Sequence, residues 1–279
     1  MKSFLMLGQS NMAGRGFLHE VGPIYNEKIK MLRNGRWQMM TEPINYDRPV
    51  SGVGLAASFA DAWTKDHPNE EIGLIPCAEG GSSLEEWHPQ GTLFRHALSE
   101  ARFALETSEI CGILWHQGES DSFHSLHESY YEKLCFIMET LRQELNLQKI
   151  PLLIGGLGDY LGKSGFGLSA VEFQEVNKQL FRFASEQPNC YFVTARGLTA
   201  NPDGIHLNAV SQRKFGYRYY EAFLKKCHVL APLVNEECQL NVKKNYSKNE
   251  QIYIQSLNLA LGKITFNEFN ELMKKIMES

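Results

Sequence analysis

The 279-residue sequence has no excess of basic charge and no long apolar run, and each absence excludes a class of partner. Its 28 lysines and arginines are outnumbered by 32 aspartates and glutamates, so the formal net charge is −4 at pH 7. Such a chain offers no basic field that would gather phosphate, and we expect neither nucleic acid nor an anionic membrane as a partner. No apolar stretch approaches the length of a bilayer span.

The apolar stretch after Met1 runs only to Leu7 and then meets a polar motif, which indicates a strand rather than a signal peptide. A cytoplasmic location is therefore the default expectation, provided that the natural protein begins at this methionine. The six cysteines include no CxxC pair or other zinc spacing, and Cys77, Cys111 and Cys190 lie in or beside apolar runs, as reduced core thiols do. We expect no cysteine-bound metal.

Short apolar runs alternate with longer segments of helical spacing along most of the chain. The runs are continuous, as in strands that are covered on both faces, and strands joined by helical crossovers form parallel sheets. The sequence thus predicts an α/β fold, a flavodoxin-like three-layer sandwich with a five-stranded parallel sheet. The predicted strands are Phe4 to Leu7, Ile72 to Cys77, Ile110 to Trp115, Ile150 to Ile154 and Cys190 to Thr194. The predicted helices are Leu55 to Trp63, Leu93 to Leu105, Tyr130 to Leu145, Val171 to Phe183 and Gln212 to Leu224.

The predicted boundary separates a domain over residues 1–229 from an appendage over residues 230–279. Two segments of the appendage, Gln251 to Leu261 and Phe266 to Ile276, have helical spacing. Thr265 and Glu268 have the spacing of a capping box at the start of the second segment. We expect a helical hairpin that packs against the domain or against a second copy of the chain, in which case the protein is a homo-oligomer.

The residues that follow the predicted strands are unusually polar, and sheets of this kind bind ligands at that edge. The segments are Gly8 to Asn11, Glu79 to Ser82, His116 to Glu119 and Asn201 to His206. The first of them has no GxGxxG pattern, which argues against a dinucleotide cofactor. The four loops together are the candidate site.

A serine hydroxyl becomes a strong nucleophile when a base takes its proton and a third group orients that base. Asp203 can supply the orienting group and His206 the base. The turn through Gly204 can place the Asp203 carboxylate next to one ring nitrogen of His206, so that the other ring nitrogen faces forward. Ser10, at the end of the first strand, is the candidate nucleophile. By itself the D-x-x-H pattern is weak evidence for a catalytic pair, because it occurs a second time at Asp121 to His124.

Acyl transfer also requires hydrogen-bond donors that face the developing oxyanion. The predicted donors are the backbone N–H groups of Ser10 and Gly81 and the side-chain amide of Gln117. Glycine at position 81 lets its N–H approach a substrate without obstruction by a side chain. Three loops would therefore converge on one reaction.

Four short blocks occur in order along the chain: Gly8-Gln9-Ser10-Asn11-Met12, Gly80-Gly81-Ser82, Gln117-Gly118-Glu119-Ser120-Asp121 and Asp203-Gly204-Ile205-His206. They resemble the blocks of carbohydrate esterases related to sialate O-acetylesterases and acetylxylan esterases, a branch of the SGNH hydrolases. The similarity extends from Ser3 to about Leu224. It implies a serine esterase that removes O-acetyl groups from sugars without a cofactor. Its implied triad is Ser10, Asp203 and His206, and its implied oxyanion hole is Gly81, Gln117 and the Ser10 amide.

Predicted substrate contacts are Gln9, Trp87 and Tyr160, the last two because aromatic rings near strand ends can stack on a sugar. Glu119 is predicted to support the Gln117 loop, and Asp121 can do the same. The acetylated sugar is left open between xylose oligomers and sialic acids. Two rival functions also remain, a broad short-chain esterase or thioesterase with the same triad, and a sugar-binding protein without catalysis.

One segment concentrates histidines and acids: His116, Glu119, Asp121, His124, His127 and Glu128. His124 and Glu128 would share a helical face, as metal ligands often do. A polar loop that leads into a helix explains the same pattern without a metal. We therefore predict no metal site here.

Overall fold

The computed structural model describes residues 1–234, 236–241 and 245–278. Within those ranges the chain forms one seven-stranded sheet with helices on both faces. The strands are β1 (Lys2–Gly8), β2 (Ile29–Arg33), β3 (Arg36–Met39), β4 (Ile72–Pro76), β5 (Glu109–His116), β6 (Leu152–Gly155) and β7 (Cys190–Val193). The helices are α1 (Ser10–Ala13), α2 (Leu55–Asp66), α3 (Thr92–Leu105), α4 (Tyr130–Leu145), α5 (Phe173–Glu186), α6 (Ala209–Lys225), α7 (Lys248–Ala260) and α8 (Phe266–Glu278).

The strand order is β3-β2-β4-β1-β5-β6-β7, and every neighbouring pair is parallel except β2 with β3. The predicted α/β class is confirmed, and the five predicted strands are all present. Their order is that of flavodoxin-like folds, in which the winding direction reverses next to the first strand. The reversal here lies between β1 and β5, so the crevice for a ligand opens at the carboxyl ends of those two strands.

The sheet is wider than predicted, because β2 and β3 form an additional hairpin. Asn34 and Gly35 connect them with φ angles of 53° and 68°. Positive φ at both positions is typical of the tight turns that Asn-Gly favours. This dipeptide was therefore the feature of the sequence that indicated a hairpin here. The strands on either side of the turn are short and carry Arg33 and Arg36. They therefore lack the clear alternation of apolar and polar residues that is expected of a strand covered on one face.

Strand β1 contributes to both layers of the core. Leu5 and Leu7 pack with helices α3, α4 and α5, whereas Phe4 and Met6 pack with α2 and α6. None of the four side chains is more than 1% exposed. Because both faces are covered, the strand appears in the sequence as a continuous apolar run.

Helices α2 and α6 pack closely because α6 presents a glycine to α2. A Cβ atom at Gly216 would lie 2.1 Å from the Leu55 carbonyl oxygen. Ser58 Oγ donates to the Arg213 carbonyl at 2.8 Å across the same contact. This helix pair fixes the loop that precedes α6 relative to the loop that precedes α2.

The predicted hairpin of the appendage is present as α7 and α8. Thr265 donates its N–H to Glu268 Oε2 at 2.7 Å, and Glu268 donates its N–H to Thr265 Oγ1 at 3.3 Å, which forms the predicted capping box. Helix α7 packs against the domain, where Glu250 Oε1 accepts the Glu27 N–H at 3.1 Å. Residues 235, 242–244 and 279 of the predicted appendage lie outside the described residues. The domain boundary and the homo-oligomer remain predictions.

Among the described helices, none combines the length and apolar character required to span a bilayer.

We expect Gly216→Ala to destabilise the protein. The added methyl group would lie 2.1 Å from both Leu55 O and Ser58 Oγ, so α2 and α6 would have to separate. The predicted loss is about 2 to 3 kcal/mol of unfolding free energy, despite the better helix propensity of alanine. Urea unfolding followed by circular dichroism measures it. Gly22→Ala is the matched control, since nothing lies within 4 Å of its added methyl group. Equal stability of the two variants would contradict the close packing.

Candidate active site

Ser10 lies at the switch point of the sheet, as the first residue of α1 directly beyond β1. A Cβ at Gly8 would lie 2.0 Å from the His116 carbonyl oxygen, and the Gly8 φ is 132°, so only glycine allows β1 to approach β5 here. The Ser10 residue is 4% exposed. Its backbone N–H donates to no acceptor in the described ranges, as is usual for the first turn of a helix.

Asp203 and His206 form a hydrogen-bonded pair on the turn before α6. His206 Nδ1 lies 2.8 Å from Asp203 Oδ2, and Asp203 Oδ1 accepts the backbone N–H groups of Ile205 and His206, both at 3.0 Å. Partial burial acts to raise the pKa of Asp203, but these hydrogen bonds outweigh it, and the pKa lies below its usual value. An ionised Asp203 thus holds one ring nitrogen of His206 and directs the other away from itself.

Asn11 joins the serine turn to the histidine turn. Its Nδ2 donates to the Ile205 carbonyl at 3.1 Å, and its Oδ1 accepts the Leu207 N–H at 2.8 Å. These bonds hold the two neighbours of His206 against the residue that follows Ser10. The two turns therefore meet, although no hydrogen bond joins the Ser10 and His206 side chains in the part of the chain that the structure describes.

Gly81 occupies the exposed loop beyond β4, with a φ of 79° that favours glycine. Nothing lies within 4 Å of a Cβ built there. Within the described chain its N–H has no acceptor, so it can donate to a substrate. The adjoining Gly80 N–H donates to Asp47 Oδ2 at 2.7 Å, which anchors the loop.

An ion pair that no sequence motif indicates lies next to this loop. Arg15 Nη2 and Asp47 Oδ2 are 2.6 Å apart, and their side chains are 5% and 2% exposed. Burial acts to raise the pKa of Asp47, but Arg15 and the Gly80 N–H outweigh it, and the pKa is lowered. Arg15 directly follows the first block, but its partner lies in a loop without a motif, so no spacing could have identified the pair.

The family model described as "Carbohydrate esterase, sialic acid-specific acetylesterase" matches residues 1–225. The chain belongs to this family. Its esterase activity and its place among the carbohydrate esterases, both predicted from the four blocks, are confirmed. The protein is therefore a carboxylic ester hydrolase.

Individual relatives agree with this assignment. The esterase is 30% identical over 247 residues to probable carbohydrate esterase At4g34215 of Arabidopsis thaliana, which covers 79% of this chain and 89% of that protein. The crystal structure of that protein matches with a TM-score of 0.72 at 28% identity, over 80% of this chain and 98% of the other. NanS shares the fold at 19% identity, with a TM-score of 0.67 over 81% and 97% of the two chains. XAC1771, a carbohydrate acetylesterase from Xanthomonas citri, also shares the fold at 19% identity. Its TM-score is 0.59, over 79% of this chain and 55% of the other.

The side-chain amide of Gln117 is engaged within the esterase itself. Gln117 is fully buried, and its Nε2 donates to the Ser82 carbonyl at 3.1 Å and to Asp121 Oδ2 at 2.5 Å. Its Oε1 accepts the Tyr130 hydroxyl at 2.8 Å. A side-chain amide has two N–H groups, and both are engaged here. Gln117 therefore ties the loop after β5 to the loop after β4, and its role as an oxyanion donor stays a prediction.

The predicted contact of Trp87 with substrate is wrong, whereas that of Gln9 is untested. Trp87 is 1% exposed and meets the Trp115 ring edge-on at 5.5 Å, so it is a core residue that cannot stack on a sugar. Gln9 is 2% exposed, and its Oε1 accepts the N–H groups of Gly118 at 3.2 Å and Ser120 at 3.3 Å. Gln9 thus holds the loop after β5 through its Oε1, and its contact with substrate stays a prediction.

Tyr160 is half-buried beside the two turns, where burial and the nearby charges of Glu119 and Asp203 raise its pKa well above the usual value. Its contact with substrate remains a prediction.

Glu119 is 2% exposed and accepts a hydrogen bond from Asn11 Nδ2, so it supports the serine turn rather than the Gln117 loop.

The second D-x-x-H pattern does not form a pair. Asp121 is buried and accepts hydrogen bonds from Gln117 and from the Leu84 N–H, whereas His124 is exposed. No cluster of histidine, cysteine and acidic side chains in the described ranges has the arrangement of a metal site.

Asp47→Asn is expected to lower both stability and turnover. It leaves the Arg15 charge buried without its partner, which typically costs about 3 kcal/mol. It also loosens the Gly81 loop, so kcat should fall roughly tenfold, since each oxyanion donor contributes about 3 kcal/mol at most. Asp61→Asn, which removes a more exposed ion pair with Lys65, should cost less than about 1 kcal/mol.

The stability difference between wild type and Asp47→Asn should depend on pH. Folding lowers the pKa of Asp47, so its stabilisation is present above the pKa of the unfolded chain and is lost as the pH falls through the lower pKa of the folded form. Urea unfolding should therefore show a constant difference from pH 7 to about pH 5 and a narrowing one toward pH 3. A difference that widens in acid would contradict the assigned ion pair.

Proposed function

We propose that the protein removes O-acetyl groups from carbohydrates through an acetyl-enzyme on Ser10, with His206 as base and Asp203 as its orienting carboxylate. The observation that carries the proposal is the Asp203–His206 hydrogen bond of 2.8 Å on a turn that Asn11 holds against Ser10. The relatives support the substrate class, since At4g34215 is a probable carbohydrate esterase and XAC1771 is a carbohydrate acetylesterase.

In the first step Ser10 Oγ attacks the acetyl carbonyl carbon while His206 Nε2 accepts its proton. The N–H groups of Ser10 and Gly81 then donate to the oxyanion of the tetrahedral intermediate. Collapse of the intermediate breaks the ester bond, and His206 returns the proton to the departing sugar oxygen. Asp203 stabilises the imidazolium throughout.

In the second step water attacks the acetyl-Ser10 carbonyl, and His206 Nε2 accepts a proton from the water. The second tetrahedral intermediate uses the same two N–H donors. Its collapse releases acetate and returns the proton to Ser10 Oγ. The reaction thus consumes one water and produces one acetate and one free sugar hydroxyl, and none of its steps uses a cofactor.

Two exposed aromatic rings lie on segments that hydrogen-bond to the two loops of the proposed site. Tyr46 is 70% exposed and lies between Asn45 and Asp47, which hydrogen-bond the backbone of Ala78 and Gly80. Phe166 is 73% exposed, and its N–H donates to the Asp203 carbonyl at 2.7 Å. The rings therefore flank the two loops that carry Gly81 and Asp203, and we assign them the stacking role first expected of Trp87.

Ser10→Ala should lower kcat/KM for an acetylated sugar by about a thousandfold or more, with thermal unfolding almost unchanged. In the wild type, mass spectrometry after treatment with a serine-directed phosphonate should place one adduct on Ser10. Ser185→Ala, which removes an exposed hydroxyl on α5, is the control and should keep both activity and labelling. An adduct on another residue would overturn the proposed nucleophile.

Tyr46→Ala and Phe166→Ala should each raise KM for an acetylated xylo-oligosaccharide about fivefold, because one ring contact is worth about 1 kcal/mol. KM for 4-nitrophenyl acetate, which has no sugar, should not change. Phe266→Ala, at a 64% exposed ring on α8, is the matched control. Equal turnover of aryl, thioester and sugar acetates, with no effect of either ring, would instead indicate a broad short-chain esterase.

A further inference from the structure

A buried cluster of polar side chains lies beneath the Ser10 turn and takes no part in the proposed reaction. Asn11, His116 and Glu119 are no more than 2% exposed. Glu119 Oε1 accepts a hydrogen bond from Asn11 Nδ2 and lies 3.3 Å from His116 Nε2. The second oxygen, Oε2, has no hydrogen-bond partner among the described residues.

A carboxylate in such surroundings is costly to keep ionised. Burial acts to raise the pKa of Glu119, but His116 and the Asn11 amide outweigh it, and the pKa lies below its usual value. Glu119 therefore carries its charge at neutral pH and can only accept hydrogen bonds. The two donors that face it must be N–H groups.

This constraint favours one orientation of the Asn11 side-chain amide. The oxygen and nitrogen of an asparagine amide have nearly the same size and shape, so packing alone does not select one orientation. With Nδ2 toward Glu119, the amide also donates to the Ile205 carbonyl and accepts the Leu207 N–H. In the reverse orientation Oδ1 would face two acceptors and Nδ2 would face a donor.

We propose that Glu119 is a positioning residue: its buried charge orients the Asn11 amide, and that amide holds the backbone of residues 205–207, and with it His206, against the Ser10 turn. The proposal rests on the proposed function for its catalytic consequence. The backbone of Asn11 is fixed separately, because its carbonyl accepts Gln212 Nε2 at 3.1 Å. Glu119 is thus needed for the orientation of the side chain rather than for the path of the chain.

Glu119→Gln tests the proposal, since it keeps the size of the side chain but removes the charge that distinguishes the two amide orientations. We expect kcat to fall about 10- to 100-fold, as is typical when a catalytic group is displaced by about 1 Å, while KM changes less than about twofold. Titration of active sites with a serine-directed phosphonate corrects for any loss of folded protein. Glu250→Gln, at another buried carboxylate on α7, is the matched control and should leave kcat unchanged.

A double-mutant cycle distinguishes this role from a general structural one. If Glu119 acts through Asn11, then Asn11→Ala should lower kcat by a similar factor, and adding Glu119→Gln to Asn11→Ala should cause little further loss. Independent, multiplying losses would overturn the proposal, because they would show that Glu119 acts by another route.

Hydrogen exchange of the Leu207 amide provides a readout that does not require activity. Leu207 N–H is buried and donates to Asn11 Oδ1, so its protection should fall at least about tenfold in Glu119→Gln and in Asn11→Ala but not in Glu250→Gln. Unchanged protection in Glu119→Gln would overturn the proposal. A wild type that releases no acetate would refute the proposed function alone, and the exchange measurement would still decide whether Glu119 positions the turn.

Discussion

The Asn11 side chain connects the beginning of the chain to the turn that carries His206. Its two hydrogen bonds, to Ile205 and Leu207, span 194 and 196 residues. The fold makes these hydrogen bonds possible. Strand β1, in the middle of the sheet, brings the serine turn to the switch point, and the contact between α2 and α6 positions the histidine turn. The turns of Ser10 and His206, which are distant in sequence, thereby meet.

Buried or partly buried carboxylates organise the loops around this junction. Asp203 orients His206, Asp47 anchors the Gly80–Gly81 loop, and Glu119 faces Asn11. Burial acts to raise the pKa of each, yet nearby donors outweigh it and each pKa is lowered. Asp121 differs, because burial prevails there and raises its pKa. Each of these turns is thus held by a carboxylate acceptor, with donors from its own turn or from a neighbouring loop.

Much of this arrangement was predictable from sequence, because strands covered on both faces appear as continuous apolar runs and their polar ends share one edge of the sheet. The hairpin at Asn34-Gly35 was missed because its strands are short and charged. Trp87 was assigned wrongly for a different reason: position near the end of a strand does not reveal whether a side chain faces the crevice or the core. The partnership of Arg15 with Asp47 depends on a loop without periodicity, so only the folded chain reveals it.

The most direct test of the account is a crystal structure of the esterase after reaction with a serine-directed phosphonate. Phosphorus should be bonded to Ser10 Oγ, with one phosphonyl oxygen accepting the N–H groups of Ser10 and Gly81. His206 Nε2 should lie about 3 Å from Ser10 Oγ or from a phosphonyl oxygen. An adduct on another residue, or an imidazole that remains beyond hydrogen-bond reach of the adduct, would contradict the central claim that Asn11 brings His206 to Ser10.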